Sequence, residues 1–557
     1  MKKTFFALSI ALVAFSMTSC LGDLDTKPLN ETDFTADVAY ADPDNYFKGL
    51  AYIASYWAFT SQNSANDKDI DVKDAGQSEL CRQYMILNEL STDALKCVWL
   101  SDTYVAGIQY HKWVPEDNAA LVAVYTRSMK GITCANEFLL QTEDEKLELR
   151  GHEAYKAEVA GYRAEARFYR ALYYYLMMDF FGNPPFALPE NIGGETPTQI
   201  QRADLFDWIE TECLELLSDS SDMPAKGSVP YPRATKGAVG ALLARMYLNA
   251  EVYTGKARWQ DAKDMAAKVI AMGYKLHDSY EELFMQDNTE SGAAEDEFIF
   301  AVEYDKNHAQ SWGGTTHLCS GAINDAANAA IATDLGLKDA NGDAAALVCL
   351  ENWNGYHVAD DYVARFDLNI DNSIYGYDRA TSDKRAFFYF YGDGFDNTQL
   401  DEPTGWCCWK FSARYSDGHV GTAALDGKFS SCDFPVFRLA EMYMIYAEAD
   451  ARLNGGKTTD ATALGYIKAL RDRAGRTMPL EVTLDWILDE NAREFMWEGH
   501  RRVDLIRYGY FTSMSFPWTL KGEVANGAVA LPEWRTIYPL IISDLNVNPN
   551  LTQNPGY

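Results

Sequence analysis

The sequence contains one group of carboxylates whose spacing could support acid–base chemistry. Glu490, Glu494 and Glu498 recur at four-residue steps in the stretch ILDENAREFMWEGHRRVDLIR. A pair of carboxyl groups is the usual machinery of enzymes that hydrolyse glycosidic bonds. The arginines interleaved with these glutamates are Arg493, Arg501 and Arg502. Residues three or four apart share one face of a helix, where opposite charges pair, so the pattern favours ion pairing over catalysis.

Motifs of other hydrolases and of zinc sites are absent from the sequence. Its eight histidines form no H-E-x-x-H motif, and no G-x-S-x-G motif occurs. None of the ten cysteines belongs to the C-x-x-C pair that is typical of zinc sites. Nine cysteines remain besides the one at position 20, and an odd number cannot pair completely in disulfides. We expect most of them to be small buried side chains. We therefore predict a protein that is not an enzyme and that uses no cofactor.

Cys20 lies in a different context from the other cysteines. A basic start and an apolar run over 5–15 precede it, and small residues lead into it. This order is typical of an export signal, and the apolar run is shorter than the ~20 residues that span a bilayer. Thr-Ser-Cys resembles a bacterial lipobox, in which the cysteine is acylated and becomes the new N-terminus. We predict a signal peptide at 1–19 and a lipidated tether at 20–35.

Two acidic residues, Asp23 and Asp25, follow the predicted lipidation site. They resemble the surface-export signal of Bacteroidetes lipoproteins, so we expect an outer-membrane lipoprotein that faces the cell exterior. Several acyl chains on one cysteine would hold it there, because each buried CH₂ contributes ~0.8 kcal/mol. The alternative is a plain secretory signal with a cysteine placed by chance.

Composition narrows the choice of ligand. The formal charge is −32, and an acidic surface repels DNA, RNA and anionic lipid headgroups, so nucleic-acid binding is not expected. The chain also carries 13 Trp, 34 Tyr and 27 Phe. Much of this aromatic content must form the core, but exposed aromatic rings also suit a protein that binds neutral sugars.

Long helical patterns must position any binding site. The strongest covers Glu153–Phe181, where apolar residues recur at three- and four-residue steps until the sequence GNPP ends the helix. Further helices are predicted at Ala119–Gln141, Asp204–Leu217, Thr235–Tyr253, Trp259–Met272, Arg438–Leu453, Ala461–Arg473 and Leu484–Tyr508.

Small residues in two of these helices favour close packing. Thr235–Tyr253 and Trp259–Met272 are rich in alanine and are joined by a short Thr-Gly-Lys turn. We interpret them as a helical hairpin of tetratricopeptide type within a degenerate array, because strict repetition is absent. An unrelated helical bundle is the alternative. The predicted fold class is mainly α, with this tetratricopeptide-type helical scaffold at 36–297 and 435–557.

The segment 298–434 has a different character. Helical periodicity fades, and glycine, asparagine and aspartate mix with aromatic residues in SWGGTTHL, ENWNGYH and GWCCWKF. Loops on a rigid scaffold are where binding residues concentrate. We therefore predict a loop-rich insertion with short strands that forms much of the ligand-binding face.

Several segments together resemble one family. AEARFYRALYYYLMMDFFGNPPF, FPVFRLAEMYMIYAEADARLNGG, NAREFMWEGHRRVDLIRYGYF and the terminal QNPGY are similar to the SusD-like (RagB/SusD) family of outer-membrane nutrient-binding lipoproteins. The resemblance runs in order from Cys20 to Tyr557. It implies a tetratricopeptide-type scaffold, an imported nutrient that is usually an oligosaccharide, and a SusC-like TonB-dependent outer-membrane transporter as partner.

The resemblance is strongest to the starch-binding founding member of the family. GQSELCRQYMILNELSTDALKCVW, WGGTTHL and NWNGYH look like its binding segments. Carried over residue by residue, the implied glycan-binding residues are Arg82, Trp99, Asp102, Trp312, Tyr356 and, as an alternative third platform, Trp353.

This sequence also departs from the family pattern. Trp312 replaces a tyrosine, Tyr356 replaces a tryptophan, and Asp102 stands where an amide is expected, which leaves the identity of the sugar open. The segment SSCDFP lacks the acidic cluster that could hold a calcium ion near Arg438, so we predict no metal there.

These observations predict a cell-surface glycan-binding lipoprotein that passes oligosaccharide to a SusC-like transporter. Starch or another α-glucan is the expected ligand, because an arc of three aromatic rings fits a curved α-glucan better than a flat β-linked chain. Two alternatives stay open: a surface glycosidase, and a peptide-binding member of the same family.

Overall fold

The computed structural model describes residues 35–116, 118–193, 196–391, 405–421, 428–522 and 527–557. The predicted signal peptide, Cys20 and the tether up to position 34 lie outside these residues. Within the described ranges, no helix combines the length and the apolar character needed to cross a bilayer.

Helices dominate the regular structure, as the sequence predicts. The α-helices are α1 Ala36–Ala39, α2 Asp44–Ser55, α3 Leu80–Glu89, α4 Thr103–Gln109, α5 Ala119–Gln141, α6 Asp144–Leu149, α7 Lys156–Phe181, α8 Arg202–Leu217, α9 Lys236–Leu248, α10 Ala250–Thr254, α11 Trp259–Ile270, α12 Ala293–Glu297, α13 Gly314–Gly321, α14 Asp325–Asp334, α15 Asp360–Val363, α16 Leu439–Leu453, α17 Ala461–Arg473, α18 Leu484–Glu494, α19 Arg501–Arg507 and α20 Ile542–Val547.

The strands are short and lie in two-stranded pairs. They are β1 Lys96–Cys97, β2 Pro185–Phe186, β3 Thr198–Gln199, β4 Phe298–Val302, β5 Lys338–Asp339, β6 Tyr356–His357, β7 Phe388–Tyr391, β8 Gly405–Cys408, β9 His419–Val420, β10 Phe434–Arg438, β11 Lys457–Thr458 and β12 Val482–Thr483. Pairs β1–β6, β2–β3, β4–β10, β7–β8 and β11–β12 are antiparallel, whereas β5–β9 is parallel.

The longest helix, α7, forms the centre of the scaffold. It packs against α2, α5 and α8, and its residues from Phe168 to Phe181 are all buried. A helix that is apolar on every side is stable only when neighbours cover every side. Gly182 ends it with φ +69°, a conformation that a side chain disfavours.

The alanine-rich helices α9 and α11 pack closely, as their small residues predict. A Cβ atom at Gly240 of α9 would come within 2.6 Å of the Val269 side chain of α11. The predicted helix Thr235–Tyr253 is in fact two helices, because the backbone leaves the helical conformation at Asn249. Local periodicity carries no signal for such a break.

The predicted helix Leu484–Tyr508 is also interrupted. It forms α18 and α19, and the connection between them contains Trp497 with φ +59° and Gly499 with φ +81°. The Gly499 and His500 N–H groups donate to the buried Glu89 carboxylate instead of continuing a helical ladder. A tertiary contact therefore replaces the local hydrogen bonds at this point.

The segment 298–434 leaves and re-enters the scaffold at one place. Strands β4 and β10 stand at its two ends and pair with each other, Phe434 opposite Val302, and every residue of both is buried. The described part between them consists of loops, the short strands β5 to β9, and helices α13 to α15. The sequence predicted the loops and strands, but it did not predict helices α13, α14 and α15.

Candidate functional site

Strand pairing brings two distant parts of the sequence together at the site. In β1 and β6, Cys97 lies opposite Tyr356, and the Val98 N–H continues the ladder by donating to the Gly355 carbonyl at 2.9 Å. Trp99 comes next, and its indole covers Gly355 so closely that a Cβ atom there would lie 2.1 Å from the ring. Only glycine leaves room for the indole at that position.

Helix α13 anchors the other two tryptophans. Trp312 lies two residues before its first residue, Gly314, and Trp353 lies on a later segment, between β5 and β6, that hydrogen-bonds to its last residues. The backbone N–H groups of Trp353 and Gly355 donate to the Ser320 and Gly321 carbonyls at 2.9 and 2.8 Å. The two tryptophan rings are consequently neighbours, with centroids 6.1 Å apart and an interplanar angle of 43°.

We call Trp99, Trp312 and Trp353 the tryptophan site. All three residues are partly exposed. The buried ring of His317 links them, since its centroid lies 6.2 Å from the centroids of both Trp99 and Trp353. Side-chain acceptors fix two of the indoles: Trp312 donates to the Asn66 amide oxygen at 2.8 Å, and Trp353 donates to Glu351 at 2.8 Å. The site is thus a fixed set of aromatic surfaces.

Tyr356 is not an exposed platform, and that expectation is corrected. Its side chain is 0% exposed, and its hydroxyl lies 2.6 Å from His317 Nε2. The ring supports Trp99 from beneath at a centroid distance of 5.0 Å. Because Tyr356 is part of β6, its direction is set by pairing with β1, and the partly exposed ring on this segment is the alternative, Trp353.

The polar residues predicted for the site lie beneath and beside the rings. Arg82 is only 7% exposed; it donates to the Tyr104 hydroxyl at 3.3 Å and lies 3.9 Å from Asp74. Asp102 is adjacent to Trp99, because its N–H donates to the Trp99 carbonyl at 3.0 Å. Its carboxylate pairs with Lys73 at 2.5 Å and accepts from Gln77 at 3.3 Å. Arg82 therefore underlies the site and Asp102 borders it.

Sequence reasoning missed three contributors to the site. His317 belongs to the quoted WGGTTHL segment and could have been noticed there. Phe429, whose ring centroid is 4.7 Å from that of Trp312, and Asn66 come from segments that carried no signal. Their role depends on contacts between residues far apart in the chain.

The glutamates with catalytic spacing belong to a different region, which we call the ion-pair core. Glu490, Glu494 and Glu498 are 0, 0 and 2% exposed. Their partners are Arg385, Lys410, Arg438, Arg471, Arg473 and Arg493 at 2.5 to 3.2 Å. Ion pairing was predicted, but a single helix face was the wrong setting. Glu498 lies beyond α18, and apart from Arg493 the cations come from other elements.

The electrostatics of the ion-pair core oppose acid catalysis. Burial by itself would raise the pKa of Glu490, but the guanidinium groups of Arg385, Arg493 and Arg471 hold that pKa below its ordinary value. The pKa of Glu494 is also low, because Arg473, Arg438 and Arg385 outweigh the effect of burial. A general acid needs a raised pKa and access to substrate, and these carboxylates have neither.

The chain is similar to known proteins in both sequence and fold. A profile of the SusD family matches residues 296–557, and one described as starch-binding and associating with the outer membrane matches residues 71–248. The starch-binding protein SusD of Bacteroides thetaiotaomicron is 33% identical over 583 residues, covering 100% of this chain and 99% of that protein. The chain belongs to the SusD family. One of its relatives in this family is a starch-binding protein, as its name states.

Solved structures of SusD-like proteins share the fold. Surface glycan-binding protein A from Bacteroides fluxus has a TM-score of 0.66 at 19% identity, covering 93% of this chain and all of that one. Surface glycan-binding protein A from Bacteroides thetaiotaomicron, solved with laminarihexaose, has a TM-score of 0.63 at 17% identity, covering 92% and 99%. The mainly helical SusD-like architecture is therefore the fold of this chain.

Proposed function

We propose that this SusD-family protein is a cell-surface lipoprotein that binds oligosaccharides without hydrolysing them. In this proposal it is anchored in the outer membrane through Cys20, faces outward and delivers its ligand to a SusC-like TonB-dependent transporter. Starch or another α-glucan is the proposed ligand. The observation that supports glycan binding is the grouping of three partly exposed tryptophan rings, each held by neighbouring side chains or backbone.

The chemistry of a pyranose fits such a surface. One face of the sugar carries C–H groups, which stack on an indole and lose contact with water at ~25 cal/mol per Å². The hydroxyl rim needs donors and acceptors, because an unpaired buried polar group is costly. Beside the rings, Asp102 and Glu351 offer acceptors, and their partners Lys73 and Lys428 offer donors.

Weak binding is expected from this arrangement. If each platform contributes about 1–2 kcal/mol after ordering costs, dissociation constants of roughly millimolar to micromolar follow. Weak capture suits a protein that releases its ligand to a transporter. The roles of Arg82, Trp99, Asp102, Trp312 and Trp353 as ligand contacts are part of the proposal.

Affinity electrophoresis on starch, dextran, levan, xylan and laminarin tests the proposal. Trp99→Ala and Trp312→Ala should each reduce retardation in the gel that slows the wild type, with little change in melting temperature. Trp259→Ala is the matched control, because Trp259 is also partly exposed but lies at the start of α11, outside the site. It should leave retardation unchanged.

Three results would contradict the proposal in different ways. No retardation on any polysaccharide would remove the glycan claim. Release of reducing ends by the purified wild type would identify an enzyme. Calorimetric binding of peptides, without binding of maltooligosaccharides, would favour the peptide-binding alternative.

A further inference from the structure

Glu79 occupies a buried junction next to the tryptophan site. It is the N-cap residue of α3, and its carboxylate accepts the Arg82 N–H at 3.0 Å. An N-cap acceptor satisfies one of the free N–H groups of the first helical turn. The side chain is 0% exposed, so its contacts are entirely internal.

The same carboxylate reaches the segment that carries Trp312. It accepts the Tyr304 hydroxyl at 2.8 Å and also forms hydrogen bonds with the Ser311 side chain and the Gly314 backbone. A Cβ atom at Gly313 would lie 1.9 Å from the Glu79 carboxylate. A Cβ atom at Gly314 would lie 2.1 Å from the Tyr304 hydroxyl. The two glycines after Trp312 are thus needed for the chain to pass over this junction.

A third glycine shows how tightly the two sides meet. A Cβ atom at Gly76 would lie 2.7 Å from Arg82 Nη1 and 2.8 Å from the Trp312 carbonyl oxygen. We call α3 the Arg82 helix and residues 311–317 the Trp312 segment. The two therefore meet at Gly76 on one side and at Glu79 on the other. A small shift at Glu79 would move one relative to the other.

We propose that Glu79 is a positioning residue for glycan binding, which joins the Arg82 helix to the Trp312 segment through one buried carboxylate. This inference rests on the proposed function. Glu79 touches no ligand in this role; it sets the relative position of groups that do.

The electrostatic surroundings of Glu79 support this role. Among the described residues no cation forms a salt bridge with it, and burial raises its pKa to about 7 although hydrogen bonds from Tyr304, Ser311 and the Arg82 N–H lower it. Such a carboxylate is costly to bury. Hydrogen bonds to both sides of the site offset part of that cost, which is consistent with a purpose beyond capping a helix.

Glu89 provides a matched control on the same helix. It is 1% exposed, and its carboxylate also accepts two backbone N–H groups, from Gly499 and His500, at 2.8 and 3.0 Å. It lies at the opposite end of α3 from Glu79. Glu79→Gln and Glu89→Gln therefore make the same chemical change at two buried carboxylates, and only one of them adjoins the site.

The experiment measures glycan affinity and stability for both variants. Glu79→Gln should weaken affinity for the glycan that retards the wild type by about three- to tenfold, and Glu89→Gln should leave affinity unchanged. Tyr304→Phe, a milder change, should reproduce part of the loss. The double variant should lose less binding free energy than the sum of the two single losses, because both changes act on the same contact between Glu79 and Tyr304.

Amide hydrogen exchange gives a second test that needs no ligand. In Glu79→Gln, amide exchange should increase at Arg82 and over 311–317. In Glu89→Gln, it should increase around 499–500 instead. Equal loss of affinity in both variants, or unchanged exchange over 311–317 in Glu79→Gln, would overturn the positioning role. If Trp99→Ala abolishes binding while Glu79→Gln binds like the wild type, only this inference fails. If the wild type binds no glycan, the proposed function and the positioning role both fail, and the exchange data then show only whether Glu79 couples the two segments.

Discussion

The tryptophan site and the ion-pair core are both groups of residues with chemistry-bearing side chains, but their surroundings differ. In the tryptophan site, partly exposed rings are held by buried neighbours such as His317 and Tyr356. In the ion-pair core, the carboxylates of Glu490, Glu494 and Glu498 are themselves buried and paired. Exposure and partners, rather than residue type or spacing, distinguish the candidate binding surface from a structural element.

A related contrast exists among the buried carboxylates. In the ion-pair core, cationic partners hold the pKa values of Glu490 and Glu494 below the ordinary range. Burial instead raises the pKa values of Glu79, Glu89 and Asp433 to about 7, 8 and 7. Asp433 connects to the Glu79 junction, because it accepts the backbone N–H of Tyr304 at 3.0 Å. Paired carboxylates should stabilise the fold at neutral pH, and unpaired ones should cost stability there.

Breaking the ion-pair core should produce the largest effect on stability. Arg438→Met removes a guanidinium that contacts Glu297, Glu494 and Glu498 at 2.7 to 2.9 Å and leaves those carboxylates with fewer partners. Loss of one member of a buried ion pair typically costs about 3–5 kcal/mol. Chemical denaturation should show this loss, whereas the glycan affinity of the folded protein should not change. A variant as stable as the wild type would contradict the structural role of the core.

The unpaired carboxylates should make stability depend on pH. The folded pKa of Glu89, about 8, lies above its ordinary value, so the folded state binds a proton that the unfolded state lacks between those two values. Stability should therefore rise as pH falls from 8 towards 5, by up to about 1.4 kcal/mol per pH unit for each such group. Thermal melting should show the rise, and Glu89→Gln should reduce its slope.

At lower pH the paired carboxylates should reverse this trend. Arg507 and Arg452 outweigh burial and lower the pKa of Glu448 to about 2, so its stabilising contribution is lost as pH falls from its ordinary range towards 2. A melting temperature that rises steadily as pH falls to 3 would contradict the assignment of these pairs.

Separate substitutions at Trp353 and Tyr356, the two candidates for the third platform, test the distinction between exposed and buried aromatic rings. Trp353→Ala should weaken glycan affinity by about 1–2 kcal/mol with little change in stability. Tyr356→Phe removes the hydroxyl that lies 2.6 Å from His317 and should cost about 1 kcal/mol of folding free energy. Calorimetry and denaturation together measure both effects. The opposite result would mean that Tyr356, and not Trp353, meets the ligand.

An exposed ion pair should show the smallest effect. Lys468 and Asp472 pair at 2.5 Å on the surface of α17, with side chains 61% and 60% exposed. Lys468→Ala should change the free energy of unfolding by about 0.5 kcal/mol or less, because solvent screens exposed pairs. A loss comparable to that of Arg438→Met would show that burial does not govern the strength of these pairs.

Much of the helical scaffold followed from the sequence. The predicted helices Ala119–Gln141 and Ala461–Arg473 have the observed bounds, and α7, α8, α11 and α16 differ from prediction by a few residues at one end. Helices depend on contacts between residues three and four apart, so their apolar periodicity is visible locally. The tetratricopeptide-type description and the domain boundaries stay predictions.

The resemblance of short segments identified the right family, and the location of the binding site stays a prediction. Trp99, Trp312 and Trp353 come together, although the choice between Trp353 and Tyr356 was left open. Asn66 and Phe429 were not predicted, because nothing in their own segments distinguishes them from other surface residues.

The sequence alone indicates most of the long helices, the acidic net charge, the predicted export signal and the set of aromatic residues from which a site could form. Only the tertiary structure decided which rings are exposed, where the helices at Asn249 and Trp497 break, and that the regularly spaced glutamates are buried. The physical reason is range. Helical periodicity is a property of neighbouring residues, whereas burial, strand pairing such as β1 with β6, and the partners of a charge depend on residues hundreds of positions away.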